Sequence, residues 1–392
     1  MFHPYFAAFR TYVKQLNLPW HHYQMENLRR LGGAFLERRS LPLRRLARTL
    51  AGPGPQHRAA DKRLRRFLGN PRLDEKAQDA AVGCLLRFLL PRLGAVEFVP
   101  VMFDWLFVDG HALLGLQLPY RGRSLPVCFS VHPATFEANE PDRTKAELAL
   151  LERLRGCWPV DAPPPVLLCD RGFAKGELVQ WLQQRRMRFI IRVPRSHHLY
   201  SRHGQLLNGP ADADPEPSRR GLLHPPLGKG YLIPHVTYTA EWRRPVHLAV
   251  TAKLDPKTGK RREWRLITNL EEAALRHVPR LYGYRMSPEE THRDYKRGHA
   301  VGGFALCHLG RMRRDRLQRY LLVLSLISCF LVLVAETERE AREWLKRQHW
   351  GLGLLTMGLD LLHAPGKSAV RLARQACASV TLEPLWVTGG YS

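Results

Sequence analysis

The sequence predicts an α/β fold: a mixed layer of strands and helices, with a basic helical region before it and a helical tail after it. Three observations predict it. Residues 1 to about 95 read as helical and strongly basic. From Val99 the apolar pattern turns to β, in three successive runs joined by tight turns. Beyond them, helical patterns and short apolar β runs alternate to about residue 193.

In the first region, Ser40 to Leu50 has a cap-type serine, leucines at helical spacing and arginines on the other face. Gly52-Pro53-Gly54-Pro55 breaks the chain, and Arg58 to Leu68 resumes with Lys62, Arg63, Arg65 and Arg66. Two short helices about a tight turn suit a DNA-docking unit, and they equally suit a solvated basic helix pair.

Val99 to Val108 is apolar and β-rich, Asp109-Gly110 is a hairpin turn, and His111 to Leu118 returns. Arg121-Gly122-Arg123 turns again before Ser124 to Val131. Asn139 to Leu154 is helical, Pro163 to Pro165 interrupts, and Val166 to Cys169 is a short buried strand. Lys175 to Arg186 is an amphipathic helix and Arg188 to Val193 another strand. Three antiparallel strands followed by helix, strand, helix, strand is the order of an RNase H-like layer. Residues 197 to 234 shift to Gly, Pro, Asp and Arg. Tyr231 to Glu241, His247 to Leu254 and Glu263 to Thr268 then alternate as strands, so 197–270 reads as a β-rich insertion. After 271 the chain is mostly helical. The expected organisation is therefore a helical basic region at 1–95, a core in two parts at 96–196 and 271–340 around the insertion at 197–270, and a helical tail at 341–392.

Composition narrows the function. Of 392 residues, 45% are hydrophobic, enough for a real core, which excludes wholesale disorder. Lysine plus arginine number 61 against 35 acids, a net charge of +26. Such a surplus draws a polyanion, nucleic acid first and an anionic membrane face second, and disfavours an enzyme for small neutral substrates. Seven cysteines are scattered singly, without the spacing of a zinc clip, and an odd count argues against a disulfide framework. A reducing, cytoplasmic setting is expected. The N-terminus lacks a signal-peptide layout. Tyr320 to Ala335 is apolar but holds only about 16 residues, short of the ~20 that a bilayer needs, so a buried core helix is expected and no membrane association.

Some acids are placed where chemistry is done. Asp104 sits inside VPVMFDWLFV, where an ionised carboxylate costs several kcal/mol unless a cation compensates it or the strand face meets water. Asp109 already has work in its turn. Asp170 ends the run VLLC, where strands give way to loops, and equally suits a helix cap. Tyr282, Arg285, Glu289 and Lys296 are spaced so that each step returns to one helix face, as a solvated ion-pair ladder or as a metal-binding carboxylate among cations. Ser287-Pro288-Glu289-Glu290 nevertheless looks like a helix start, with Glu290 completing a capping box, so Tyr282 and Arg285 would precede the helix or the helix would bend.

Asp104, Asp170 and the run Tyr282-x2-Arg285-x3-Glu289-x6-Lys296 resemble the DDE transposases of bacterial insertion sequences, in the cut-and-paste branch marked by a Tyr-Arg-Glu-Lys signature (insertion-sequence-four-like). KRLRRFLGNPRL (62–73), FDW (103–105), YRGRSLPV (120–127), DRGF (170–173), EWRLITNL (263–270) and RMSPEETHRDYK (285–296) agree with that branch in order. The resemblance implies that Asp104, Asp170 and Glu289 bind two Mg²⁺ or Mn²⁺ ions. It implies that Lys296 and Arg285 hold phosphates beside the cut, that Tyr282 packs against or bonds to the same backbone, and that Trp264 receives a base flipped from the element's end. It further implies binding of terminal inverted repeats, excision through a hairpin intermediate, insertion into target DNA, and a homodimer on synapsis using helices after about 340, with no nucleotide cofactor. Ser-Pro stands before the Glu in place of a bulky pair, and His292 stands where an aromatic is common; both bear on helix geometry. An RNase H-like nuclease or resolvase without strand transfer, and a non-catalytic DNA-binding protein, are the alternatives. The pairs His21-His22 and His197-His198 read as surface or structural, and the arginines at 185, 186, 188, 192 and 195 as backbone contacts.

Overall fold

The computed structural model describes residues 4–51, 56–94, 96–108, 110–121, 123–137, 140–194, 197–201, 225–238, 245–254, 259–286, 292, 309, 312–338 and 354–382. Helices α1 (Pro4–Gln15), α2 (His22–Arg38), α3 (Leu43–Ala51), α4 (His57–Leu68) and α5 (Glu75–Leu89) come first. Strands β1 (Val99–Val108), β2 (His111–Tyr120) and β3 (Arg123–Pro133) follow. Then come α6 (Glu140–Cys157), β4 (Pro165–Cys169), α7 (Gly176–Gln184), β5 (Arg188–Arg192), β6 (Leu199–Tyr200), β7 (Gly230–Tyr238), β8 (Pro245–Leu254) and β9 (Arg261–Thr268). Helices α8 (Val278–Gly283), α9 (Arg314–Thr337), α10 (Leu354–His363) and α11 (Ala369–Ser379) close the order. The protein is mixed α/β, with most strand pairs antiparallel and helices toward both ends.

The chain forms two compact units. One comprises Met1–Val96, Trp105–Ala162 and Ser287–Thr388, the other Glu97–Asp104, Pro163–Met286 and Gly389–Ser392.

In the first unit, His21 caps α2: its ring accepts from the Tyr23 amide while Gln24 returns a bond to the His21 amide, a capping box built on histidine. That is the structural role expected for His21. β2 and β3 form a hairpin paired from His111↔Pro133 to Tyr120↔Arg123, turning at Arg121 with φ of 46°. The core helix is α9. The apolar run at 320–335 is extended by Arg314–Arg319 and by two residues beyond, so the helix has 24 residues and is long enough to cross a bilayer, unlike the shorter segment expected. Its apolar window is 89% buried inside the protein, which gives that hydrophobicity a packing role. Arg319 donates to the carbonyls of Leu68 and Leu73 at 2.8 and 2.7 Å, satisfying the end of α4, and the Tyr320 hydroxyl donates to the carbonyl of Leu41.

In the second unit, β1, β4 and β5 run parallel, and β9, β8, β7 and β6 extend the layer antiparallel from β5. Val99–Phe103 pair with Pro165–Cys169, and Val166–Cys169 with Arg188–Ile191. The junction of β5 and β9 is tied by side chains. Thr268 donates to the carbonyl of Phe189 at 2.6 Å, while Asn269 accepts from the Phe189 amide and donates to the Met187 carbonyl. Leu178, Val179 and Leu182 of α7 are buried, and His197 stacks on Tyr238 at 5.5 Å, again a structural use. The described cysteines are free and buried, acting as small hydrophobes; Cys307 lies outside the described residues.

Candidate active site

Strand register places the first two acids. The last parallel pair on β1 and β4 is Phe103↔Cys169, and on β4 and β5 it is Cys169↔Ile191. Asp104, Asp170 and Arg192 are each the next residue, so all three stand on one row where the parallel pairing ends, although β1 itself runs on to Val108. That edge is where open α/β layers gather their chemistry. All three belong to the second unit.

The row is held electrostatically by Arg285. One terminal nitrogen, Nη2, lies 3.2 Å from each carboxylate oxygen of Asp104 and 3.3 Å from Oδ2 of Asp170. The Arg285 and Asp104 side chains are 14% and 13% exposed, so their interaction is only partly screened by water, while Asp170 is 34% exposed. Asp170 also accepts from the Gly172 amide at 2.8 Å, fixing its carboxylate at the head of the turn Arg171–Phe173. That local cap, one of the two roles open from the sequence, coexists with the shared cation.

Arg285 follows α8 in the short 3₁₀ turn Tyr284–Met286. A single regular helix through Tyr282 and Arg285 is therefore not formed: α8 ends at Gly283 and the chain tightens, and the helix-start pattern at Ser287 lies outside the described residues. Tyr282 is buried, and its ring meets Trp264 edge to face at 5.2 Å. Burial raises the Tyr282 phenol above its usual range, opposed by the Arg285 and Arg192 guanidinium groups and assisted by Asp170. It stays neutral at pH 7, able to donate a hydrogen bond. Trp264, on β9 opposite Thr251, is half-buried, so its indole is neither wholly core nor wholly free. Arg192, one of five arginines expected to make backbone contacts, stands on this row and donates toward the Glu263 carbonyl. No local pattern could have separated it from its neighbours, because its position depends on pairing with β4.

Glu289 and Lys296 lie outside the described residues, as does Arg195. Their neighbour His292 is described, in the first unit, and is buried. Gln117 Nε2 donates to its Nε2 at 2.8 Å, which places the ring proton on Nδ1, and Ser124 in turn donates to Gln117. A polar partner on β2 thus explains a histidine where an aromatic is common. On α4, Lys62, Arg63 and Arg66 are exposed, whereas Arg65 is engaged by Asp61 at 2.7 Å. A cavity of 430 Å³ is lined by Lys62, Arg63 and Arg66 together with Tyr23, Asn27 and Asn70.

The donor set of the row fits a divalent cation. Asp104 and Asp170 offer hard oxygens, and both already converge on one positive nitrogen that stands in for an ion. Among the described residues no group of three or more His, Cys, Asp or Glu side chains gathers, so any third ligand must come from the remainder.

Two carboxylates just past the last parallel-paired residues, with cations and an aromatic pair beside them, are groups of the kind that phosphoryl transfer uses. Residues 110–324, more than half of the chain, match the family described as Transposase DDE domain, and the chain belongs to that family. The matched region contains Asp170 and begins shortly after Asp104. No curated protein matches the chain.

Proposed function

We propose that the protein is the transposase of a bacterial insertion sequence, with an RNase H-like core, and that it binds the terminal inverted repeats, excises the element through a hairpin intermediate and joins it to target DNA. The observation that carries this reading is the Asp104–Asp170 pair, side by side just past the last parallel-paired residues of β1 and β4 and converging on one cation. Asp104, Asp170 and Glu289 are the ligands we assign to two Mg²⁺ or Mn²⁺ ions. Such ions, when bound, lower the pKa of a bound water and stabilise the leaving oxygen.

The chain's own groups do the rest. Arg285, Arg192 and Lys296 grip the phosphates beside the scissile bond, and the neutral Tyr282 hydroxyl donates to the same backbone. Trp264 receives a base turned out of the stack, which relaxes the tight DNA hairpin. Base–aromatic stacking is worth about 1–3 kcal/mol, so Trp264→Ala is expected to slow hairpin formation by about ten- to a hundredfold while sparing the first nick. Resolving nicked and hairpin products on denaturing gels measures both.

Lys62, Arg63 and Arg66, around the cavity that Tyr23 and Asn70 also line, are assigned to the DNA backbone. Each phosphate contact contributes about 0.9 to the slope of log affinity against log salt. The Lys62→Ala, Arg66→Ala double variant should therefore bind end DNA with a slope smaller by about two. Fluorescence anisotropy over a salt series reads it.

Incubating the protein with Mg²⁺, end DNA and a target plasmid tests the whole reading. Joined product is expected. Cutting without joining would mark a nuclease or resolvase, and neither cutting nor joining, with end DNA bound equally by the wild type and Asp104→Asn, would mark a DNA-binding protein whose acids do nothing.

A further inference from the structure

The contact between Arg285 and the two acids has a geometry that a permanent ion pair does not need. Guanidinium and carboxylate normally meet as a fork, through two parallel bonds of about 2.7–2.9 Å. Here a single nitrogen serves three oxygens from two residues, at 3.2, 3.2 and 3.3 Å. Arg285 acts as a point charge at the centre of an oxygen cluster, which is the job of a compact cation. A divalent ion would bring oxygens to about 2.0–2.1 Å with twice the charge, and it cannot share that position with the guanidinium.

We propose that Arg285 is the resident counter-ion of the Asp104–Asp170 site, that it competes directly with the first divalent metal, and that metal binding displaces it. This deepens the transposase reading and rests on it. Without a cation, two carboxylates side by side where the parallel pairing ends would repel each other in a partly buried setting, and Arg285 removes that repulsion until metal arrives. The turn that carries it is short, three residues beyond α8, and Glu289 lies four positions further along the chain. Displacement then turns the guanidinium from an internal partner into a free cation beside the site, available to a phosphate. Metal loading and DNA grip are thereby coupled through one side chain.

Direct metal binding tests the competition without relying on activity. The full chain, stripped with EDTA, is titrated with Mn²⁺, and free hexa-aquo Mn²⁺ is followed by electron paramagnetic resonance. Removing a competitor is expected to tighten Mn²⁺ binding in Arg285→Gln by about tenfold, while Asp104→Asn weakens it in either background. In EDTA, Arg285→Gln should melt several degrees below the wild type, and Mn²⁺ should recover most of that loss. Arg285→Lys, which keeps charge but not reach, should fall between the two affinities and decides the matter if Arg285→Gln does not fold. Equal or weaker Mn²⁺ binding in the Arg285 variants, with Asp104→Asn still damaging, would overturn the counter-ion and leave the metal site standing. Mn²⁺ binding indifferent to Asp104→Asn would overturn both.

Discussion

Asp104→Asn is expected to abolish strand cleavage and joining while leaving affinity for end DNA close to that of the wild type. The substitution keeps size and shape but removes one of two charges that converge on a single cation where the parallel pairing ends. An ion held by fewer anionic ligands is held more weakly and polarises water less well, so a loss of about a thousandfold or more, ~4 kcal/mol of barrier, is expected. The phosphate contacts assigned to Lys62, Arg63 and Arg66 belong to the other unit and are untouched. Asp109→Asn is the matched control. Asn-Gly makes as good a hairpin turn as Asp-Gly, so that variant should cut normally. Quantifying cleaved end DNA beside anisotropy binding curves separates the two effects. Retained cleavage in Asp104→Asn would remove Asp104 from the chemistry.

Asp104 could be singled out from the sequence because it interrupts an apolar run where a charge is costly, and Asp170 because it ends one where a strand gives way to a loop. That argument is local, and it says nothing of how the two meet. The meeting depends on parallel pairing of Val99–Phe103 with Pro165–Cys169, fixed by contacts across more than sixty residues that no periodicity records. The same pairing carries Arg192 onto the row, where composition alone showed only one arginine among many. Strand β9 was legible by alternation, yet its Trp264 resting edge-on against Tyr282 follows from where α8 docks. At Tyr282–Arg285 the helical spacing and the serine-proline helix start pointed to different local structures. The helical spacing does not hold there, because α8 ends at Gly283 and a tighter turn takes over, while the serine-proline pattern lies outside the described residues. The length of α9 was underestimated for a related reason. Arg314–Arg319 are mostly polar and do not extend an apolar run, but Arg319 is bound by the carbonyl of Leu68 at the end of α4 and by that of Leu73 beyond it, and so belongs to a packed helix.

Gly358→Ala should be strongly destabilising even though alanine is the better helix former. Within a helix the exchange ordinarily gains about 1 kcal/mol. In α10, however, a Cβ on Gly358 would stand 2.2 Å from the carbonyl oxygen and 2.9 Å from the carbonyl carbon of Leu331, in the middle of the fully buried stretch of α9. The obstacle is backbone, so no rotamer change relieves it, and the two helices must separate. Leu355, Met357, Leu359 and Leu362 are buried beside it, and opening that seam forfeits their close packing. Arg39 also reaches α10 to pair with Asp360 at 2.5 Å, so a shift strains a second anchor. A net loss of about 3 kcal/mol, seen as a fall of roughly 4–6 °C in Tm, is expected by calorimetry. Because this face of α10 is committed to α9, any pairing of two copies through the C-terminal helices must use another face. The same variant separates folding from chemistry: below its lowered Tm, Gly358→Ala should retain cleavage and the salt dependence of DNA binding, whereas Asp104→Asn loses cleavage at every temperature. A Tm unchanged or raised would mean that α10 does not sit against Leu331 as described.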